Sequence, residues 1–316
     1  MLGIGESIIF PASNRLVANW IPSNERGLAN GLIFAGVGVG ASLAPPLITT
    51  IMLAHDWRTA FWVTAAIGVA AFVIWILVAR DRPENHGWVS EQELAFIRDG
   101  SPKAEGPVTG GAPVATPWGA ILGNRSFGFL ALSYFCFGYV AYIYFSWFFT
   151  YLASVRGLDL KSSGLYGMFP FIAMAIASPF GGWVSDRLTV QVGPRVGRCY
   201  VAALGMGLSA IFIALASYVA DVRMAALVLA AGSGSLYLAQ SAFWTLSADI
   251  GRRLAGTVSG LMNMGCQFGG VIVGVLTPIL AQSFGWTASF LFTAAVCLVG
   301  ALAWLFIDPA TRLDSR

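Results

Sequence analysis

Residues 31–40 read GLIFAGVGVG, and residues 260–270 read GLMNMGCQFGG. Neither stretch carries a charge. In the first, Gly31-Leu32, Gly36 and Gly40 are followed by Trp57 and Phe61; in the second, Gly260-Leu261, Gly265 and Gly269 are followed by Trp286 and Phe290. Each of these six pairs is separated by 229 residues. Glycines four apart allow apolar helices to approach closely. The runs that hold them, about 28 to 53 and 254 to 282, exceed the roughly 20 residues that a bilayer core requires. A Gly-x-Gly-x-Gly run inside such a segment lacks the strand-turn-helix setting of a phosphate loop, so these glycines read as packing positions.

The composition agrees with a membrane solvent. Of the 316 residues, 57% are hydrophobic and 10% charged, against roughly 25% charged in a soluble domain; the mean hydropathy is +0.73. A net charge of +3, spread along the chain, points away from nucleic acid. Cys136, Cys199, Cys266 and Cys297 lie singly in different apolar stretches, and His55 and His86 have no ligand partners near them. This spacing excludes a disulfide framework and a metal centre, and no cofactor is expected. No HExxH, nucleophile motif or pair of acids within a span marks an enzyme.

Apolar runs bounded by Gly, Pro and charges predict an all-α polytopic protein with nine spanning helices, at about 1–20, 28–53, 58–79, 127–153, 162–184, 198–219, 222–247, 254–282 and 286–307. Alternate connections hold 13 and four Lys or Arg residues. The richer set faces the cytoplasm, so the C-terminus is expected inside a plasma (inner) membrane. Residues 80–126 form the long polar linker; Ser90-Glu91-Gln92-Glu93 reads as a capping box opening a short helix, and Gly100 to Pro117 as a flexible stretch. The organisation is thus 1–79, helices of a first bundle; 80–126, a cytoplasmic linker; and 127–316, a second bundle of six.

The repeat extends this reading. The second bundle begins near Phe127, so its counterpart is expected to begin about 100 residues before Met1, with room for about three further helices. Six-plus-six parallel repeats are the pattern of major facilitator transporters. The first three helices of that pattern are then expected to lie upstream of Met1.

Two sets of residues carry a family resemblance. Gly181-Gly182-Trp183-Val184-Ser185-Asp186-Arg187 looks like the G-x-x-x-D-R loop of the major facilitator superfamily. That implies a cytoplasmic gating loop with Gly182 for close approach and Asp186 and Arg187 as its charges; a simple helix-end charge pair is the alternative. The first 61 residues are more specific: Gly5-Glu6, Phe10-Pro11, Asn14-Arg15, Ala18-Asn19-Trp20, Pro22, Glu25-Arg26, Ala29, Gly31, Gly36, Gly40, Pro45-Pro46 and Trp57-Arg58-x-x-Phe61. They resemble the fourth to sixth helices of the anion:cation symporter family, and Trp147, Thr150-Tyr151-Leu152, Pro170 and Asn263 fit as well. The resemblance implies a symporter of sugar acids, tartrate, phthalate or related organic anions.

Glu6 is an acid deep in an expected span, about 20 Å from Trp20 at 1.5 Å per residue. Such a group faces a cavity, pairs or protonates. In the resembling family this Glu couples protons to transport; a permanent structural ion pair is the alternative. Tyr139, Tyr142, Ser241, Trp244, Thr245, Asn263 and Gln267 are the polar and aromatic candidates for substrate contact. Asn263 and Gln267, like Ser241 and Thr245, stand four apart on one helix face, and either bind substrate or cross-link helices. The expected partners are a small organic anion, protons and the lipid bilayer, the chain acting as a monomer. The alternative is a non-transporting remnant or membrane sensor of the same fold.

Overall fold

A computed structural model of the chain describes residues 2–99 and 117–313. The expected flexible stretch, apart from Pro117, lies outside the described residues. No strand is present among those described.

The helices follow the apolar runs. α1 is split into Leu2–Glu6 and Ile9–Trp20, α2 spans Arg26–Ala54 and α3 Trp57–Val78. The short surface helix α4, Glu91–Asp99, opens where the capping box predicts, with the Glu93 amide donating to Ser90 Oγ at 3.2 Å. α5 is Arg125–Ser146, extended by Phe148–Thr150 and a π-turn at Tyr151–Val155. α6 comprises Leu160–Gly167 and Phe169–Val192, α7 is Val201–Ala216, and α8 comprises Val222–Leu238 and Gln240–Gly251. The final apolar segment, Ala255–Phe306, has 52 residues. At 1.5 Å per residue it would measure about 80 Å, more than twice a bilayer core. Gly285, at φ 84°, breaks it into α9 (255–284) and α10 (286–303); that left-handed conformation is one an L side chain rarely adopts.

Polar caps set several starts. Asn124 Oδ1 accepts from the Phe127 amide at 3.0 Å, and Asp221 Oδ1 from Met224 at 2.8 Å. Asp56 caps α3 through the Thr59 amide and hydroxyl, which hold its carboxyl below the usual range. Each such side chain satisfies an orphan donor of the first turn.

Packing is tightest where glycines remove side chains. α9 lies along α5, where a Cβ on Gly269 would strike the Phe135 carbonyl and one on Gly265 would lie 3.3 Å from the Ala131 carbonyl. α6 is sandwiched between α2 and α8: a Cβ on Gly31 would sit 2.5 Å from the Ser178 carbonyl, and one on Gly181 2.5 Å from that of Leu238. On α2, however, the expectation that Gly36 and Gly40 serve packing is not met. Both face open space among the described residues, and Gly27, Gly31 and Gly38, on another face of the helix, make the close approaches. The core fills with Leu130, Tyr134, Phe137, Phe243, Trp244, Met262 and Trp304. α3 is the opposite case, with Ala60 alone buried among its described side chains and Trp62 76% exposed. A helix apolar on every side is suited to hydrocarbon or to other helices.

Candidate functional site

α1 and α2 meet α6, α8 and α9, and charges organise one end of that interface. Asp186 of α6 accepts from the Gly27 and Leu28 amides at 3.0 and 2.7 Å and pairs with Arg198 Nη1 at 2.6 Å. The first amides of a helix have no intrahelical acceptor and carry its positive dipole end. The carboxylate thus caps α2 from another helix. Gly27 is required here, since a Cβ would lie 2.5 Å from Asp186 Oδ1; a Cβ on Gly182 would strike the Gly27 carbonyl. Arg198, 2% exposed, also donates to Ser185 Oγ at 3.0 Å. Arg26 donates to the Ala18 and Ile21 carbonyls that end α1, at 2.9 and 3.2 Å, and reaches Asp249 of α8 at 3.4 Å.

The next layer is aromatic. Phe10 stacks on Phe34 at 5.2 Å, and the Trp244 ring lies 5.8 Å from each. Beneath Phe10, Asn14 donates to the Trp244 carbonyl at 3.2 Å and to Ser247 Oγ at 3.3 Å. Trp244 is anchored in turn by its indole N–H to Tyr134 Oη at 2.9 Å.

Beyond that layer the walls open. Tyr142 donates to Gln267 Oε1 at 2.6 Å, joining α5 to α9. The Glu6 carboxyl is exposed and within electrostatic reach of the Tyr142 hydroxyl. Asn263, one turn before Gln267, is 8% exposed and makes no side-chain hydrogen bond among the described residues. Glu6 and Gln267 are exposed and Tyr142 is half-buried, so this open region, or cleft, offers an acid, a hydroxyl and an amide to a small polar solute.

The other expected residues lie elsewhere. Tyr139 is buried, with its ring 5.9 Å from Phe292 of α10; three residues from Tyr142, it is turned into the α9–α10 packing instead of the cleft. Ser241 and Thr245 are fully buried, and their hydroxyls lack partners among the described residues. Trp244 forms the aromatic layer between the cleft and the charged end. Asp186 and Arg187 were expected to act together, but the guanidinium of exposed Arg187 lies 5.5 Å from the Trp183 ring, and Arg198 is the partner of Asp186. Consecutive helical residues point about 100° apart, so the two do not face the same neighbour.

Asn14, Arg26, Tyr134, Arg198 and Asp249 hold this interface without having been singled out for it. Arg198 read in the sequence as cytoplasmic charge, and Arg26 as such a charge and as part of the Glu25-Arg26 resemblance. The available signal was an Arg adjoining the apolar run CYVAALGMG (199–207), since a charge entering a span must find a partner.

Comparison with known proteins agrees with this architecture. The Major Facilitator Superfamily matches residues 1–274 and 195–316. A protein of Cupriavidus necator named "Probable sulfoacetate transporter" is 33% identical over 100% of this chain and 72% of its own length. The chloroplastic ascorbate transporter of Arabidopsis thaliana is 32% identical over 99% of this chain and 57% of its own length. The D-galactonate transporter of Escherichia coli is 30% identical, over 96% and 72%. The chain therefore spans between about half and three-quarters of these relatives. With seven helical segments long and apolar enough to cross a membrane among the described residues, and with similarity along its whole length to proteins named as transporters, the chain belongs to the Major Facilitator Superfamily, a superfamily of membrane transporters.

Proposed function

We propose that the protein moves a small organic anion across a plasma (inner) membrane by proton-coupled symport. It works as a monomer with its C-terminus in the cytoplasm. In this reading α1–α3 belong to the first bundle (1–79), residues 80–126 link the bundles, and 127–316 form the second; the two rock about the central cleft. The charged end, with Arg26, Arg187, Arg195 and Arg198 near it, is cytoplasmic by the excess of Lys and Arg. The arrangement described is then closed to the cytoplasm.

The observation that carries this reading is an exposed acid, Glu6, within electrostatic reach of Tyr142, which itself donates to Gln267. An acid on a spanning helix is costly unless it faces water, pairs or protonates. At a cleft it can take a proton from one side and release it to the other as the bundles move. Tyr142, Gln267 and Asn263 contact the substrate, Trp244 floors the site, and Ser241 and Thr245 join it as the floor opens. Relatives named for sulfoacetate, ascorbate and D-galactonate suggest acids that are ionised at neutral pH.

The test is uptake by the full-length protein, purified and reconstituted in lipid vesicles with the outer medium acidified. Labelled sulfoacetate, ascorbate or galactonate should accumulate, and a protonophore should abolish the accumulation. Neither uptake nor exchange of any of the three would overturn the reading. Uptake indifferent to the protonophore would retain transport and remove the proton.

A further inference from the structure

Trp244 stands where helices from both sides meet, and its contacts divide into two kinds. Within its own bundle, the indole N–H donates to Tyr134 Oη at 2.9 Å, beside Gln240 Nε2 at 3.0 Å. Across the interface, the ring lies against Phe10 and Phe34, and Asn14 Nδ2 is shared between the Trp244 carbonyl at 3.2 Å and Ser247 Oγ at 3.3 Å. Shared, long bonds of this kind are weak.

The surrounding polar groups are incompletely matched. Asn14 is 1% exposed, yet its Oδ1 has no partner among the described residues; Ser241 Oγ, three residues before Trp244, and Thr245 Oγ1, directly after it, are likewise buried and unpartnered there. Burying polar groups without hydrogen bonds is costly, and each such group in a folded protein needs an explanation. A second arrangement, in which these atoms meet water or solute, supplies one explanation for all three.

We propose that Asn14 is a latch. It holds Trp244 as the floor of the cleft in the arrangement described, and it lets go when α1 and α8 part, bringing Ser241 and Thr245 to water and substrate. Asn14 is a positioning residue that acts through Trp244. The proposal rests on the transport reading only for what crosses the floor; the latch is tested without transport.

Thr245→Cys reports on the opening. In detergent-purified chain, a charged maleimide should label the introduced thiol slowly with Asn14 intact and roughly 3- to 10-fold faster in Asn14→Ala, the population shift that losing one net hydrogen bond allows. Ser247→Ala leaves the carbonyl acceptor in place and should give a smaller rise. The four native cysteines, all buried, measure unfolding: their labelling should stay unchanged. Equal labelling of the introduced thiol in the three proteins would overturn the latch. So would a rise there matched by a rise at the native cysteines, because Asn14 would then be supporting the fold as a whole. A transport failure leaves these rates unaffected, so the two readings fall separately.

Discussion

At one end of the interface Asp186 holds two backbone amides and a buried guanidinium, and glycines bring α2 and α6 into backbone contact. At the other end Glu6, Tyr142 and Gln267 border an open cleft, with one hydrogen bond of 2.6 Å between two of them. The closed end is thus rich in interactions that removal of one partner would leave uncompensated, whereas the open end has groups already near solvent. Stability should reside at the first, and recognition at the second.

Substitution at Asp186 probes that contrast most strongly. Asp186→Ala leaves Arg198 buried without its counter-ion and two α2 amides uncapped, so a loss of about 3–5 kcal/mol is expected. Arg187→Ala, one residue along and exposed, should stay within about 0.5 kcal/mol. Thermal unfolding of both in the same detergent checks the pair. Similar losses would mean that the ion pair has been placed on the wrong arginine.

Glycines sharpen the contrast on a single helix. Gly31→Leu drives a side chain into the Ser178 carbonyl and should cost at least about 2–3 kcal/mol. Gly40→Leu, at a position that faces open space among the described residues, should cost less than about 1 kcal/mol. Equal melting temperatures would mean that α2 and α6 do not touch along this face.

The smallest effect belongs to the open end. Tyr142→Phe removes one neutral hydrogen bond, with a stability change of about 1 kcal/mol or less. It should instead raise the KM for the transported anion. A large stability loss with an unchanged KM would make Tyr142 a packing residue.

The sequence made the helices legible because length and apolarity determine what crosses a bilayer, and Gly285 is in the gap between two expected spans. What surrounds each helix was less legible, as the repeat itself illustrates. Trp286 and Phe290 pack against Tyr151, with Phe290 3% exposed, whereas their counterparts Trp57 and Phe61 are 52% and 69% exposed. Gly265 and Gly269 likewise seat on α5, while Gly36 and Gly40 face open space. A glycine pattern states that close approach is possible; the partner helix decides whether it happens. In the site, Tyr142 and Gln267 could be chosen as polar groups on spans. The choice of Arg198 over Arg187 could not, because it depends on how the chain turns back after α6 to bring Arg198 against Asp186.

Glu6 carries the central claim, and Glu6→Gln in reconstituted vesicles tests it most directly. The amide keeps the shape of a protonated acid but cannot release a proton. The mutant should therefore exchange labelled anion across the membrane at a rate comparable to the unsubstituted protein and lose accumulation driven by a pH gradient. Pure coupling predicts exchange retained, accumulation lost and thermal stability unchanged. Accumulation persisting in Glu6→Gln would contradict the account and move the coupled proton to another group.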